Sequence, residues 1–253
     1  MPTFPNASCA DVEILVVEDS TELASTAADV VAATVERRPK AVILAATGNT
    51  PMGCYAELAH RRAAGGFDPS RMRVAQLDEY IGIGEDDPRS LYGWMRRALC
   101  EPLGIGPDRT IRFAPDVDPQ DACAAYDAEI AAGGGIDLAI LGLGPNGHLG
   151  FNEPPTEAGA PTRVVTLTPA TMQSNARYWG AAAVPERAVT AGMSVILRAR
   201  HVVLLVSGAH KGAILGDLRR SAPDPSLPAS WLHQHPDAVI IADGAAAAPA
   251  PPQ

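Results

Sequence analysis

The chain has no apolar run near the ~18 residues that a membrane-spanning helix needs. Its N-terminus carries no basic segment followed by an apolar one, so no secretory signal is expected. Cysteine is sparse: Cys9, Cys54, Cys100 and Cys123 lie far apart and never in CxxC spacing, which excludes a disulfide scaffold or a zinc ribbon and predicts reduced thiols. His233 and His235 flank Gln234 without a Cys or carboxylate at matching spacing; they read as helix-end or surface residues, and no metal is expected. The turn Thr47-Gly48-Asn49-Thr50 matches neither the Walker A pattern nor G-x-G-x-x-G. Basic residues are in deficit, 20 Lys+Arg against 29 Asp+Glu for a net charge of −9. That balance argues against nucleic acid or an anionic membrane as the partner, but leaves an anionic small molecule open, because a few local cations suffice for it. Internal repeats and long linkers are also missing. These absences predict a soluble cytoplasmic protein acting on a small molecule, as a monomer or homo-oligomer.

Apolar residues make up 47% of the 253 and charged residues 19%, enough for a sizeable core. Strand signals at Ile14–Val17, Ala41–Ala46, Val74–Leu77, Ile111–Phe113, Leu138–Leu141, Arg163–Leu167, Val202–Val206 and Val239–Ala242 alternate with helical ones. Such alternation predicts a parallel sheet covered by helices. Helices are expected from Asp19-x-x-Glu22 to about Arg38, after Thr50-Pro51, over 88–99, 119–132 and 169–178, and from about Ala209 to Arg219. A single domain over 1–243 is expected, followed by a disordered Ala/Pro-rich tail, 244–253, with 221–228 as a mobile loop.

The most informative stretch is 137–154, Asp-Leu-Ala-Ile-Leu-Gly-Leu-Gly-Pro-Asn-Gly-His-Leu-Gly-Phe-Asn-Glu-Pro. A buried strand there runs into a glycine-rich loop that delivers His148 and Glu153 to the edge where open α/β sheets bind ligands. An imidazole and a carboxylate in that place suit acid–base chemistry on a small molecule; a structural loop histidine is the plainer alternative. Asp78-Glu79 follows another strand directly, and like-charge repulsion plus desolvation would raise one carboxyl into the range of a base, the alternative being a helix cap or surface acid. Thr47-Gly48-Asn49-Thr50 joins a strand to a helix start and could cradle a phosphate on backbone amides, or be an ordinary turn. Arg163, Arg177 and Lys211 stand near element ends as candidate anion contacts, Lys211 the best placed after Ser207-Gly208; singly, each also suits a surface charge.

Taken in order, Thr47-Gly48-Asn49-Thr50-Pro51, Leu77-Asp78-Glu79-Tyr80, Gly144-Pro145-Asn146-Gly147-His148-Leu149-Gly150-Phe151-Asn152-Glu153-Pro154, Arg163 to Leu167, Ser174-Asn175-Ala176-Arg177, Val184 to Met193 and Ser207-Gly208 with Lys211 resemble the glucosamine-6-phosphate deaminase family, which is related to 6-phosphogluconolactonase. The resemblance implies a Rossmann-like three-layer α/β sandwich with a mainly parallel central sheet. It also implies conversion of an amino-sugar phosphate to fructose 6-phosphate and ammonia, with neither a metal nor an organic cofactor. On that likeness Asp78 would move a proton between C2 and C1, His148 would open the pyranose ring, and Glu153 would orient and polarise His148. Asn146 stands where some members carry an Asp that partners the histidine. Lys211, Arg177 and the 47–50 loop would hold the phosphate, with Arg163 as a possible further anion contact. Segment 155–161, Pro-Thr-Glu-Ala-Gly-Ala-Pro, departs from the family's Ser-rich pattern. It keeps a second substrate open, galactosamine 6-phosphate or another phosphosugar. A non-catalytic sugar-phosphate sensor is the remaining alternative, but its DNA-binding region would have to precede a first strand expected near residue 12.

Overall fold

The structure, a computed structural model, describes residues 12–248. In chain order these form β1 (Glu13–Val17), α1 (Ser20–Arg37), β2 (Val42–Ala45), α2 (Asn49–Ala63), β3 (Arg73–Gln76), β4 (Asp78–Tyr80) and α3 (Leu91–Met95). There follow β5 (Thr110–Ile111), α4 (Pro119–Ala132), β6 (Leu138–Gly142), β7 (Arg163–Thr166), α5 (Pro169–Asn175) and β8 (Arg187–Thr190). The last elements are α6 (Met193–Ile196), β9 (His201–Val206), α7 (Gly212–Arg220), β10 (Ala238–Asp243) and α8 (Gly244–Ala247).

Seven strands make one parallel sheet in the order β1-β10-β9-β6-β2-β3-β5. Its central strands are apolar throughout because both faces are covered. In β2, Val42 and Leu44 face one core while Ile43 and Ala45 face the other; β6 and β9 alternate in the same way. Helices α1 and α2 cover one face, and α4, α6 and α7 the other. From β2 the chain winds outward through β3 and β5, and from β6 it winds the other way through β9 and β10. The loops after β2 and β6 therefore diverge, and the crevice between them is the switch point where open α/β sheets take ligands.

Local chemistry sets the helix starts. Asp19 accepts from the amides of Thr21 (2.8 Å) and Glu22 (2.9 Å), and Asp118 accepts from Gln120 (2.8 Å) just before Pro119 at the first helical position. Helix α2 differs: its cap is Gly48, at φ +99°, with no side-chain hydrogen bond. Pro51 sits in its first turn, two residues further in than expected.

A second, three-stranded antiparallel sheet, β4-β8-β7, packs on its own small core of Tyr80, Leu91, Phe151, Leu167, Trp179 and Ala188. Asp78-Glu79 is thus neither a helix cap nor a surface acid; it opens a strand. The helix expected over 88–99 begins only at Leu91, capped by Ser90, and runs on as a π-helical turn through Cys100. Segment 221–228 is pinned: the Thr156 amide donates to Pro225 O (3.0 Å), the Asp224 amide donates to Ser230 Oγ (2.7 Å), and Leu227 is buried. His233 is a core residue, accepting from the Val12 amide through Nδ1 (3.1 Å) with Nε2 at 2.9 Å from Leu218 O. The expected disordered tail starts too early: Asp243 caps one more turn, Gly244–Ala247, with Ala246 buried, while 249–253 lie outside the described residues. Cys54, Cys100 and Cys123 are free and buried; Cys9 is outside the described residues. Among the described residues, no helix is long and apolar enough to cross a membrane.

Candidate active site

A cleft of about 1000 Å³ opens at the switch point. Thr47, Gly48, Asn49, Thr50, Asp78, His148, Arg177 and Lys211 all line it, although they come from five stretches of chain between the end of β2 and the start of α7. One end is built for an anion. The first-turn amides of α2 have no side-chain cap, and Gly48 adopts a positive φ that other residues rarely reach. Unpaired amides at a helix N-terminus attract negative charge. Lys211 Nζ donates to Leu143 O at 2.7 Å, which holds the ammonium in the wall. Burial, with Arg177 adding, pulls its pKa below the usual lysine range, a state that a bound anion would relieve.

The other functional groups flank this end. Asp78 is buried, and its Oδ1 has no hydrogen-bond partner among the described residues. Burial first and the neighbouring Glu79 second push its carboxyl up to about 8. Asp78 and Tyr80 point into the cleft and Glu79 lines a different pocket, as strand alternation requires. The His148 ring lies so close to Gly144 that a Cβ there would overlap it. Its Nδ1 is also buried without a partner among the described residues. Burial brings His148 down to about 4, against the pull of Glu153 and with the help of Lys211, so the imidazole is neutral near pH 7.

Glu153 and Asn146 stand behind this wall rather than in it. Glu153 accepts from Thr168 Oγ1 (2.5 Å), the Thr168 amide (3.3 Å) and Asn146 Nδ2 (3.3 Å), and Asn146 Oδ1 accepts from the His148 amide (3.3 Å). No hydrogen bond joins Glu153 to His148, so the expected direct orientation of the ring is replaced by a charge acting at a distance and a backbone link through Asn146. Thr168 was missed because its partner lies 15 residues earlier; only its place before Pro169 signals anything, and that signal is helix capping. Ser207, Gly208 and His210 also line the cleft. Asp243 accepts from Ser207 Oγ and the Gly208 amide and so sets that loop.

Arg163 does not line the cleft. Its guanidinium donates to Asn152 Oδ1 (2.7 Å), Pro161 O (3.2 Å) and Thr156 Oγ1 (3.3 Å), tying β7 to the 152–161 loop outside the cleft. Segment 155–161 does not line the cleft either, so it offers no contact by which to choose between sugars. Among the described residues, no group of three His, Cys, Asp or Glu side chains is gathered to hold a metal.

A sequence model of glucosamine-6-phosphate isomerases and 6-phosphogluconolactonases matches residues 18–241. The chain belongs to this family. Relatives named glucosamine-6-phosphate deaminase include those of Streptomyces avermitilis, 40% identical over 93% of this chain and 91% of that one, and of a Geobacillus species, 40% identical over 88% and 89%. A solved structure of a monomeric glucosamine-6-phosphate deaminase superposes with a TM-score of 0.89 at 33% identity, covering 93% of this chain and 98% of that one. The 6-phosphogluconolactonase of Trypanosoma cruzi shares the fold, with a TM-score of 0.76 at 21% identity over 96% and 98% of the two chains. Family membership thus agrees with the parallel α/β sheet and with a cleft at its switch point.

Proposed function

We propose that this member of the family is a cytoplasmic aldose–ketose isomerising deaminase, converting glucosamine 6-phosphate and water to fructose 6-phosphate and ammonia. The observation that carries the reading is the buried, partnerless carboxyl of Asp78 in one cleft with the neutral imidazole of His148, beside an end built for a phosphate. The deaminases at 40% identity and the 33% identical deaminase structure support the substrate.

The uncapped amides of α2, Lys211 and Arg177 bind the phosphate and so fix the sugar chain. His148, neutral, takes the proton from the C1 hydroxyl and returns one to the ring oxygen, opening the pyranose; the charge of Glu153 favours the imidazolium formed in passing. In the open chain the Asp78 carboxylate removes the C2 proton, the electron pair moves toward C1, and the substrate ammonium gives one proton to the C1 oxygen, leaving a neutral enolamine. Asp78 returns the proton to C1, leaving a C2 imine. Water adds to C2 and ammonia departs, so one water is consumed and no net redox change occurs. A carboxyl at about 8 is largely protonated at neutral pH. The substrate's own ammonium beside it favours the carboxylate, and binding thereby makes the base. Orientation by the phosphate anchor contributes several kcal/mol, up to ~7–11 in ideal cases.

The test is to incubate the protein with glucosamine 6-phosphate and to measure ammonia and fructose 6-phosphate separately. Equal yields of both are expected; ketose formation without ammonia, or neither product, overturns the reading.

A further inference from the structure

Glu79 adjoins the proposed base without a part in the proposed reaction, and it is the most heavily bonded side chain in that region. Oε1 accepts from the amides of Tyr80 (2.9 Å) and Leu91 (3.0 Å). Oε2 accepts from Gln76 Nε2 (3.1 Å), Ser90 Oγ (2.8 Å) and the Tyr92 amide (2.8 Å). Gln76 in turn donates to Asp78 O (2.9 Å), and its Oε1 accepts from the Phe113 amide (3.2 Å). Three of the five donors belong to residues 90–92, the start of α3, whose Leu91 and Trp94 line the cleft. A surface acid does not collect five donors from three elements; a carboxylate that fixes one element against another does.

We infer that Glu79 is a positioning residue for the reaction proposed above: its carboxylate locks the strand bearing Asp78 to the N-terminus of α3 and holds the base and the Leu91–Trp94 wall in register. The inference rests on that functional reading, since it assigns Asp78 as the base. Alternation along β4 makes the arrangement possible. Asp78 and Tyr80 face the cleft while Glu79, between them, reaches back to α3. The lock is also electrostatic. The negative charge beside Asp78 favours the protonated carboxyl and assists burial in raising it. Other titratable or charged groups facing Asp78 are Tyr80 on its own strand, Tyr126 from α4, and His148, Arg177 and Lys211 around the cleft; Arg187 opens the paired strand β8. Glu79 is the charged group next to Asp78 that the reaction does not itself engage.

Two variants separate reach from charge. Glu79→Gln keeps the length and removes the charge; Glu79→Asp keeps the charge and is one methylene too short for residues 90–92. Both should lower kcat on glucosamine 6-phosphate, up to about 10²-fold as misplacement of a reacting group can cost, with KM changed much less because the phosphate end is untouched. Only Glu79→Gln should move the acid limb of kcat/KM, and it should move to lower pH. An unchanged kcat in either variant overturns the inference. So does a raised KM with an unmoved acid limb in Glu79→Gln, which marks a merely structural role. If Glu79→Gln does not fold, the kcat of Glu79→Asp decides. The ¹³C titration of the Asp78 carboxyl, assigned by its loss in Asp78→Asn, reads the charge coupling in Glu79→Asp and Glu79→Gln without any turnover. A wild-type protein that makes no ketose and ammonia fails the functional reading, and an Asp78 titration unmoved by Glu79→Gln fails this one.

Discussion

The large parallel sheet and the small antiparallel one divide the work of this molecule. The large sheet is apolar on both faces: Ile43, Leu44, Leu138, Ile140, Val203 and Leu204 are at most 2% exposed. The small sheet is built of Asp-Glu-Tyr, Arg-Val-Val-Thr and Arg-Ala-Val-Thr, and β7 is only half-buried along most of its length. The large sheet sets out the phosphate end, through the loops after β2 and β9. The small sheet carries Asp78. On the proposed function, anchoring falls to the large layer and proton transfer to a thin layer with a small core of its own. A base must be placed within tenths of an ångström of its proton, and here the bonds of Glu79, rather than a deep core, supply that placement.

Four substitutions probe this division. The largest effect should come from the small sheet without loss of structure: Asp78→Asn should lower kcat by about 10²–10⁴-fold while the protein stays folded. A variant keeping more than about a tenth of wild-type kcat removes Asp78 as base. Stability should show the reverse order. Leu204→Ala in β9 should cost ~2–5 kcal/mol of unfolding free energy, whereas Val164→Ala in β7, half-buried, should cost well under half of that. Equal losses in urea melts would mean that the two layers unfold as one core. Next comes the anchor. Lys211→Ala should raise KM for the sugar phosphate by roughly 10- to 100-fold, as loss of a ~1.5–3 kcal/mol charge-assisted bond implies, with kcat changed less. An unchanged KM would move the phosphate elsewhere.

The remaining effect is in pH. The Asp78 carboxyl goes from an ordinary 3.8 when unfolded to about 8 when folded, so its proton contributes stability that is full below about 4 and is lost as pH rises through 8. Asp78→Asn, which cannot ionise, should therefore gain Tm over wild type more at pH 9 than at pH 5. A gain independent of pH would show that Asp78 titrates in its usual range. In the same way the acid limb of wild-type kcat/KM should lie near 8 and that of kcat lower, because the bound ammonium favours the carboxylate.

The same division marks what could be read in the chain. Strands β2, β6 and β9 are continuous apolar runs between turn signals, and α4 follows Asp118-Pro119 to the residue. These signals are local, and the physics they report is local. Strands β4 and β8 are three and four residues long and carry charges, so nothing in their own composition separates them from loops. Asp78, His148, Lys211 and the 47–50 loop could be placed because each follows a legible strand. Arg163 could not, because its partners, Asn152, Thr156 and Pro161, look from the sequence like free loop residues. Glu153 was legible as a site residue but not through its bond to Thr168, and Glu79 was legible only as a charge beside Asp78. His233 does lie at the end of a helical segment, Pro228–Gln234, but its burial was not legible, because both of its partners, the Val12 amide and Leu218 O, come from distant segments.

One small feature has wide reach. Among the described residues, four helices have nine residues or more; α1 and α4 begin on aspartate caps, while α2 begins on Gly48 and α7 is entered through a turn at Gly208–Lys211, neither with a side-chain cap. Both uncapped ends open on the cleft. On the proposed reading, a phosphate bound there would meet the open amides of α2 as well as fill a pocket, and the folded state would hold part of its stability on loan from its substrate. Saturation at a hundred times Kd adds about 2.7 kcal/mol to the unfolding free energy. If the proposed sugar phosphate binds there, the lifetime of the protein would follow its supply, falling when the pool empties and recovering when it refills.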